Sequence, residues 1–125
     1  MKLLDTDICI GLLKAVPKVV AAWRACDERC ALSLMSVGEL AYGAAKARNP
    51  EAERGRVYRL VGILDEGSLT KAVMMRFGLL KAELETSGNA DLLIAATALE
   101  HGMTLVTGNT KHFARIPGLQ LENWF

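Results

Sequence analysis

Four separate stretches of this chain carry carboxylate, hydroxyl or amide side chains directly after apolar runs. Asp5, Thr6 and Asp7 follow Lys2-Leu3-Leu4, and Ser36 and Glu39 follow Ala31-Leu32-Ser33. Asp91 opens an Ala/Leu-rich stretch, and Thr107 and Asn109 follow Met103-Thr104-Leu105-Val106. Carboxylates gathered at one place repel one another, and helix N-termini relieve only part of that repulsion. A hard divalent cation with oxygen ligands relieves far more, so the set points to a metal site. Taken singly, each residue has a plainer duty. Asp5 or Asp7 could cap a helix, Ser36 and Glu39 have capping-box spacing, and Asp91 could be a first-turn acid. Thr107 and Asn109 could be turn residues. The conjunction carries the metal reading.

For that conjunction to exist, the intervening elements must deliver all four stretches to one edge. The chain alternates short apolar runs with longer amphipathic ones. Strands are expected at Lys2–Leu4, Ala31–Ser33, Ile63-Leu64, Met103–Thr107 and Leu119–Glu122. Helices are expected from Asp5-Thr6-Asp7 to Lys14, from Pro17, from Ser36 to Lys46, and over Glu51–Leu60. Three more are expected over Leu69–Thr86, Asp91–Glu100 and Thr110–Ala114. Strands separated by helices imply parallel pairing and a sheet covered on both faces. In such sheets functional groups gather beyond the carboxyl ends of the strands, where these polar residues fall.

At 125 residues the chain has the length of one domain, and 1–125 is read as a single unit. Fifteen basic residues against fourteen acidic ones exclude a generally basic nucleic-acid binder. The 46–59 stretch is locally different: Lys46, Arg48, Arg54, Arg56 and Arg59 outweigh Glu51 and Glu53. That is a solvated face or a path for phosphates, with Lys46, Arg48 and Arg54 as its candidates. Cys9, Cys26 and Cys30 are odd in number and lack zinc spacing, which fits reduced thiols in or near the core. No charge-free run exceeds about ten residues, short of the roughly 18 a membrane span needs. With no secretory pattern visible, the cytoplasm is the expected compartment. His101 and His112 have no partner by spacing and read as structural. Trp23 and Trp124 read as core.

Leu3-Leu4-Asp5-Thr6-Asp7-Ile8-Cys9-Ile10 resembles the opening of a PIN domain of the VapC toxin type. Ser36-Val37-Gly38-Glu39-Leu40-Ala41-Tyr42-Gly43-Ala44 resembles its second block, and Asp91-Leu92-Leu93-Ile94-Ala95-Ala96 its third. Leu105-Val106-Thr107-Gly108-Asn109-Thr110 with Phe113, and Pro117-Gly118-Leu119 with Glu122-Asn123-Trp124, resemble the last two. The resemblance implies a three-layer α/β/α PIN-like domain with a mostly parallel sheet. It also implies a Mg²⁺-dependent endoribonuclease, with Mn²⁺ able to substitute, acting as the toxin of a type II pair. Asp5, Glu39 and Asp91 match the family's metal-holding catalytic acids. Asn109 stands where many members have a fourth acid, and Thr6 and Thr107 match supporting hydroxyls. An RNA substrate, a VapB-like antitoxin and a homodimer are implied as partners.

Two departures stand out. Asp7 occupies a position where the family usually has Asn, adding a charge beside the site. The family also usually has a longer loop with an extra glycine before its third acid, whereas Gly88-Asn89-Ala90 leads straight into Asp91. Two rival readings are a receiver-like phosphoacceptor domain, which also gathers aspartates at a sheet edge, and a catalytically inactive PIN module. A receiver needs a phosphorylatable Asp after its third strand and a Lys ending a later one, and neither is evident here.

Overall fold

Parity along the apolar strands divides the core in two. In the computed structural model, which describes residues 1–125, the strands are β1 (Lys2–Leu4), β2 (Cys30–Ser33), β3 (Asp65–Gly67), β4 (Thr104–Val106) and β5 (Leu121–Glu122). Leu4, Leu32 and Val106 enter one buried cluster, while their neighbours Leu3, Ala31 and Leu105 enter the other. Alternation of this kind is what strands covered on both faces require. The sheet has the order β3-β2-β1-β4-β5, and every neighbouring pair is parallel.

Helices α1 (Thr6–Leu13), α2 (Pro17–Ala25), α3 (Leu34–Ala45) and α4 (Pro50–Ile63) cover the first face through Ile8, Val19, Leu40 and Leu60. Helices α5 (Lys71–Glu83), α6 (Asn89–His101) and α7 (Thr110–Phe113) cover the second through Val73, Leu80, Ile94 and Phe113. The result is the α/β/α arrangement read from the sequence. Because β1 is central, the chain leaves it on one side through β2 and returns on the other through β4. Between β1 and β4 lies the switch point at which open parallel sheets bind ligands. No helix is long and apolar enough to cross a membrane.

Some elements differ from expectation. The capping box at Ser36 and Glu39 does not form: α3 begins earlier, and Ser33 is the cap, accepting from the Met35 amide at 3.1 Å. Two serines three residues apart compete for one cap, and the one that ends the buried strand takes it. Ile63 belongs to α4, and the third strand is the polar Asp65-Glu66-Gly67 at the sheet edge. Helix α5 is shorter than expected at both ends, starting at the Thr70 cap and stopping at Glu83. Cys9, Cys26 and Cys30 are free thiols. Trp124 is buried and meets Trp23 edge to face, with ring centroids 6.5 Å apart.

Gly67 explains why the edge strand can lie so close to α6. A Cβ there would stand 3.0 Å from the Leu32 carbonyl oxygen and 3.0 Å from Thr97 Cγ2. Neither a backbone carbonyl nor a fully buried threonine can move aside easily. Gly67→Ala is therefore expected to destabilise the fold by about 1–3 kcal/mol through overpacking. A lowered urea midpoint at unchanged slope is the check, and a parental midpoint would contradict it.

Candidate active site

Asp5 follows β1 directly and caps α1. Its Oδ1 accepts from the Thr6 amide at 2.8 Å, and its Oδ2 accepts from the Thr107 hydroxyl at 2.7 Å. The residue is 7% exposed, so its carboxylate is almost withdrawn from water. Thr107, fully buried at the end of β4, also accepts from the Asn109 amide at 3.0 Å. The two central strands thus clamp one carboxylate between them.

Asp7 sits one step along α1. Its Oδ2 accepts from the Gly108 amide at 2.9 Å, while its Oδ1 is buried with no hydrogen-bond partner. Gly108 has to be glycine for that approach, since a Cβ would lie 2.8 Å from Asp7 Oδ2 and 2.8 Å from the Phe125 ring. Glu39, on α3, reaches the same edge from the β2 side. Its Oε1 accepts from the Thr6 hydroxyl at 2.7 Å, and that hydroxyl oxygen lies 2.9 Å from Ser36 Oγ. Glu39 therefore turns toward α1 instead of folding back on its own helix. Asp91, in the first turn of α6, has its Oδ2 3.1 Å from His112 Nε2. No three acidic, histidine or cysteine side chains form a closed set of ligands around one point.

The electrostatics mark a concentration of negative charge. Burial pushes the Asp5 carboxyl up to about 6, and the charges of Asp7 and Asp91 add to that, against the Thr107 and Thr6 hydrogen bonds. Burial raises Asp7 too, with Asp91 adding. The folded state therefore holds the Asp5 proton more tightly than the unfolded chain does. A raised carboxyl favours folding below the unfolded value near 3.8, and that contribution is lost as pH climbs through about 6. The full penalty is about 3 kcal/mol, of which roughly 1 kcal/mol develops between about pH 5 and about pH 7. Chelator-treated protein is thus expected to be more stable at the lower of those pH values, by urea unfolding. A flat profile, or one rising toward neutrality, would contradict the placement of Asp5.

Of the basic candidates, Arg48 lines a groove of about 550 Å³ between α1, α3 and α4 that reaches Glu39. Lys14 and Arg56 line it too, a pairing across α1 and α4 that sequence spacing does not reveal. Arg54 faces a separate cavity beside Val37 and Tyr58, and Lys46 lines neither. His112, which has no partner by spacing, meets Asp91; the fold of α7 back toward α6 makes the contact.

An acid buried at the central switch point is thus approached by Glu39 from the middle of α3 and by Asp91 from the first turn of α6. The PIN domain pattern matches residues 2–119, which take in all these acids and every strand but β5, and the chain belongs to that family. Within it, the chain stands among the VapC ribonucleases. It is 34% identical to Ribonuclease VapC2 of Rickettsia felis over 129 positions, covering 98% of this chain and 96% of the relative. It is 32% identical to the tRNA(fMet)-specific endonuclease VapC of Shigella flexneri, with 98% and 96% covered. Its backbone superposes with a TM-score of 0.91 on the structure of VapBC2 from Rickettsia felis bound to a DNA fragment from their promoter. That match has 32% identity and covers 99% of this chain and 98% of the other. The 129 aligned positions exceed the 125 residues available, so the first relative carries residues that this chain lacks. The connection between α5 and α6 is only Leu84–Gly88, in keeping with the short approach to Asp91.

Proposed function

We propose that this protein is a divalent-metal-dependent endoribonuclease, the toxin of a toxin–antitoxin pair with a VapB-like partner. The observation that carries the metal reading is uncompensated charge: a nearly buried Asp5 pushed up to about 6, beside an Asp7 oxygen that is buried and unpaired. Both conditions favour binding of a hard cation by oxygen ligands at this edge, which would draw the carboxylates together. Asp5, Glu39 and Asp91 would hold Mg²⁺ or Mn²⁺, with the Asn109 side chain as a neutral oxygen donor. When bound, the ion supplies Lewis-acid polarisation of a phosphoryl oxygen and activation of water.

The chain's own residues account for the remaining requirements. Thr107 and the Thr6 amide fix both oxygens of Asp5, so that carboxylate needs no rearrangement. The Thr6 hydroxyl orients Glu39. Lys14 and Arg48 are the cationic side chains of the adjoining groove that would attract RNA phosphates, since Arg56 is paired with Glu53 at 2.7 Å. The receiver reading loses its ground, because the third strand lies at the sheet edge and no phosphorylatable aspartate follows it. Homodimerisation in the cytoplasm, together with its antitoxin, completes the proposal.

The direct test is cleavage of initiator tRNA, chosen because similar VapC enzymes bear that specificity in their names, alongside other tRNAs and messenger RNA. Cleavage is expected with Mg²⁺ or Mn²⁺ and is expected to stop with chelator. A cation that binds only the folded chain adds about 2.7 kcal/mol of stability at a hundredfold excess over its Kd. Chelated protein should therefore melt higher on titration with Mn²⁺. No shift, together with no cleavage of any RNA, would favour an inactive PIN module.

A further inference from the structure

Resting on the metal reading above, we propose that His112, held by Arg115, is the positioning residue for Asp91. The contact chain starts in the short connection before α6. Ser87, 5% exposed, accepts from Arg115 Nη2 at 2.7 Å, and Lys81 Nζ donates to the Ser87 carbonyl at 2.8 Å. The same Arg115 Nη2 lies 3.2 Å from His112 Nδ1, and Arg115 Nε donates to the His112 carbonyl at 3.2 Å. His112 Nε2 in turn is 3.1 Å from Asp91 Oδ2.

The direction of this chain follows from donor chemistry. A guanidinium has only N–H donors, so His112 Nδ1 must accept from Arg115. In the neutral ring the one remaining proton then lies on Nε2, the nitrogen beside Asp91. Arg115 thus leaves the ring proton on the nitrogen that stands 3.1 Å from the Asp91 carboxylate. The ring is steadied by Phe113, fully buried and edge to face with it at 5.2 Å. With Oδ2 beside the imidazole, Oδ1 is the Asp91 oxygen left without a protein partner, and the Asp91 charge is felt at Asp5. Without this contact, Asp91 would rest on an open first turn and a connection of five residues, Leu84–Gly88. Partners that orient ligating side chains typically contribute about 10–100-fold in metal affinity or activity.

The test compares His112→Ala, His112→Asn and His112→Gln in the full chain, reading Mn²⁺ affinity from free Mn²⁺ by electron paramagnetic resonance, together with RNA cleavage. Glutamine sets its amide where Nε2 was and can still donate to Asp91; asparagine ends too near the backbone. The Ala and Asn variants are expected to bind Mn²⁺ about 10–100-fold more weakly, and the Gln variant to recover most of the affinity. Cleavage should follow occupancy, returning toward the parental rate when Mn²⁺ is raised. Arg115→Ala should weaken Mn²⁺ in the same direction while His112 is intact. Unchanged affinity in folded His112→Ala would overturn the assignment and leave the metal reading standing. Tighter binding in His112→Ala would also overturn it, since the contact would then be competing with the ion. A parent that binds no Mn²⁺ would overturn both together.

Discussion

Asp5→Asn is expected to lose RNA cleavage by a factor on the order of a thousand while keeping its fold. The two duties of this residue separate cleanly. Structurally it caps α1 and accepts from Thr6 and Thr107, and asparagine is as good a cap as aspartate. The amide nitrogen would meet Thr107 Oγ1, which has a second lone pair to offer besides the one used by Asn109. Electrostatically, Asp5 is costly when ionised: it is buried and pushed up to about 6 beside Asp7 and Asp91. Removing its charge therefore relieves up to about 3 kcal/mol in metal-free protein near neutrality. The variant should melt at or above the parental temperature without metal, lose the stabilisation by Mn²⁺, and fail to arrest growth when expressed alone. A variant that cleaves RNA at near-parental rate with Mg²⁺ present would sink the catalytic assignment. One that unfolds would show that the Thr107 contact is structural first.

That pattern also separates an enzyme from an inactive binding module. A module has no reason to retain a buried charge beside an unpaired Asp7 oxygen, since an amide or apolar side chain there would give a more stable fold. Retention of a destabilising charge is understandable where that charge is used.

The parts of this site that were legible in the sequence are those fixed by a strand. Leu3 and Leu4, buried on opposite faces, set the end of β1, and whatever follows a central strand must lie at the carboxyl edge. Asp5 and Thr107 follow strands that are paired directly, so their meeting is a consequence of sheet order alone. Glu39 was legible as an acid near that edge, but not in its partner. Ser36 and Glu39 satisfy the capping-box spacing, and only the earlier cap at Ser33 frees Glu39 to accept from Thr6. The edge strand Asp65-Glu66-Gly67 carries no apolar run, because the residues that bury it belong to its neighbours. His112 and Asp91 meet through the return of a four-residue helix, and no periodicity encodes such a return. Lys14 and Arg48 share a groove for the same reason, since helix packing joins segments whose separation in sequence is arbitrary.

Thr107 offers the second large effect, because one buried hydroxyl both donates to Asp5 and accepts from Asn109. Thr107→Val keeps the shape and the methyl group but replaces the hydroxyl with a second methyl, removing both bonds. Asp5 Oδ2 loses its donor at a position with little access to water, while the backbone amide of Asn109, an exposed residue, can turn to solvent. Leaving the buried Asp5 oxygen unpaired costs about 1–3 kcal/mol, so a drop in melting temperature is expected. The loss of orientation at Asp5 should lower cleavage about 10–100-fold on top of that. Thr107→Ser provides the opposite cut: it keeps the hydroxyl and gives up one buried methyl, at about 1 kcal/mol. Serine is therefore expected to reduce stability modestly and retain most of the cleavage, whereas valine loses far more activity. Equal activity in the two variants would mean that the hydroxyl does not orient Asp5, and that β4 contributes only packing to the site.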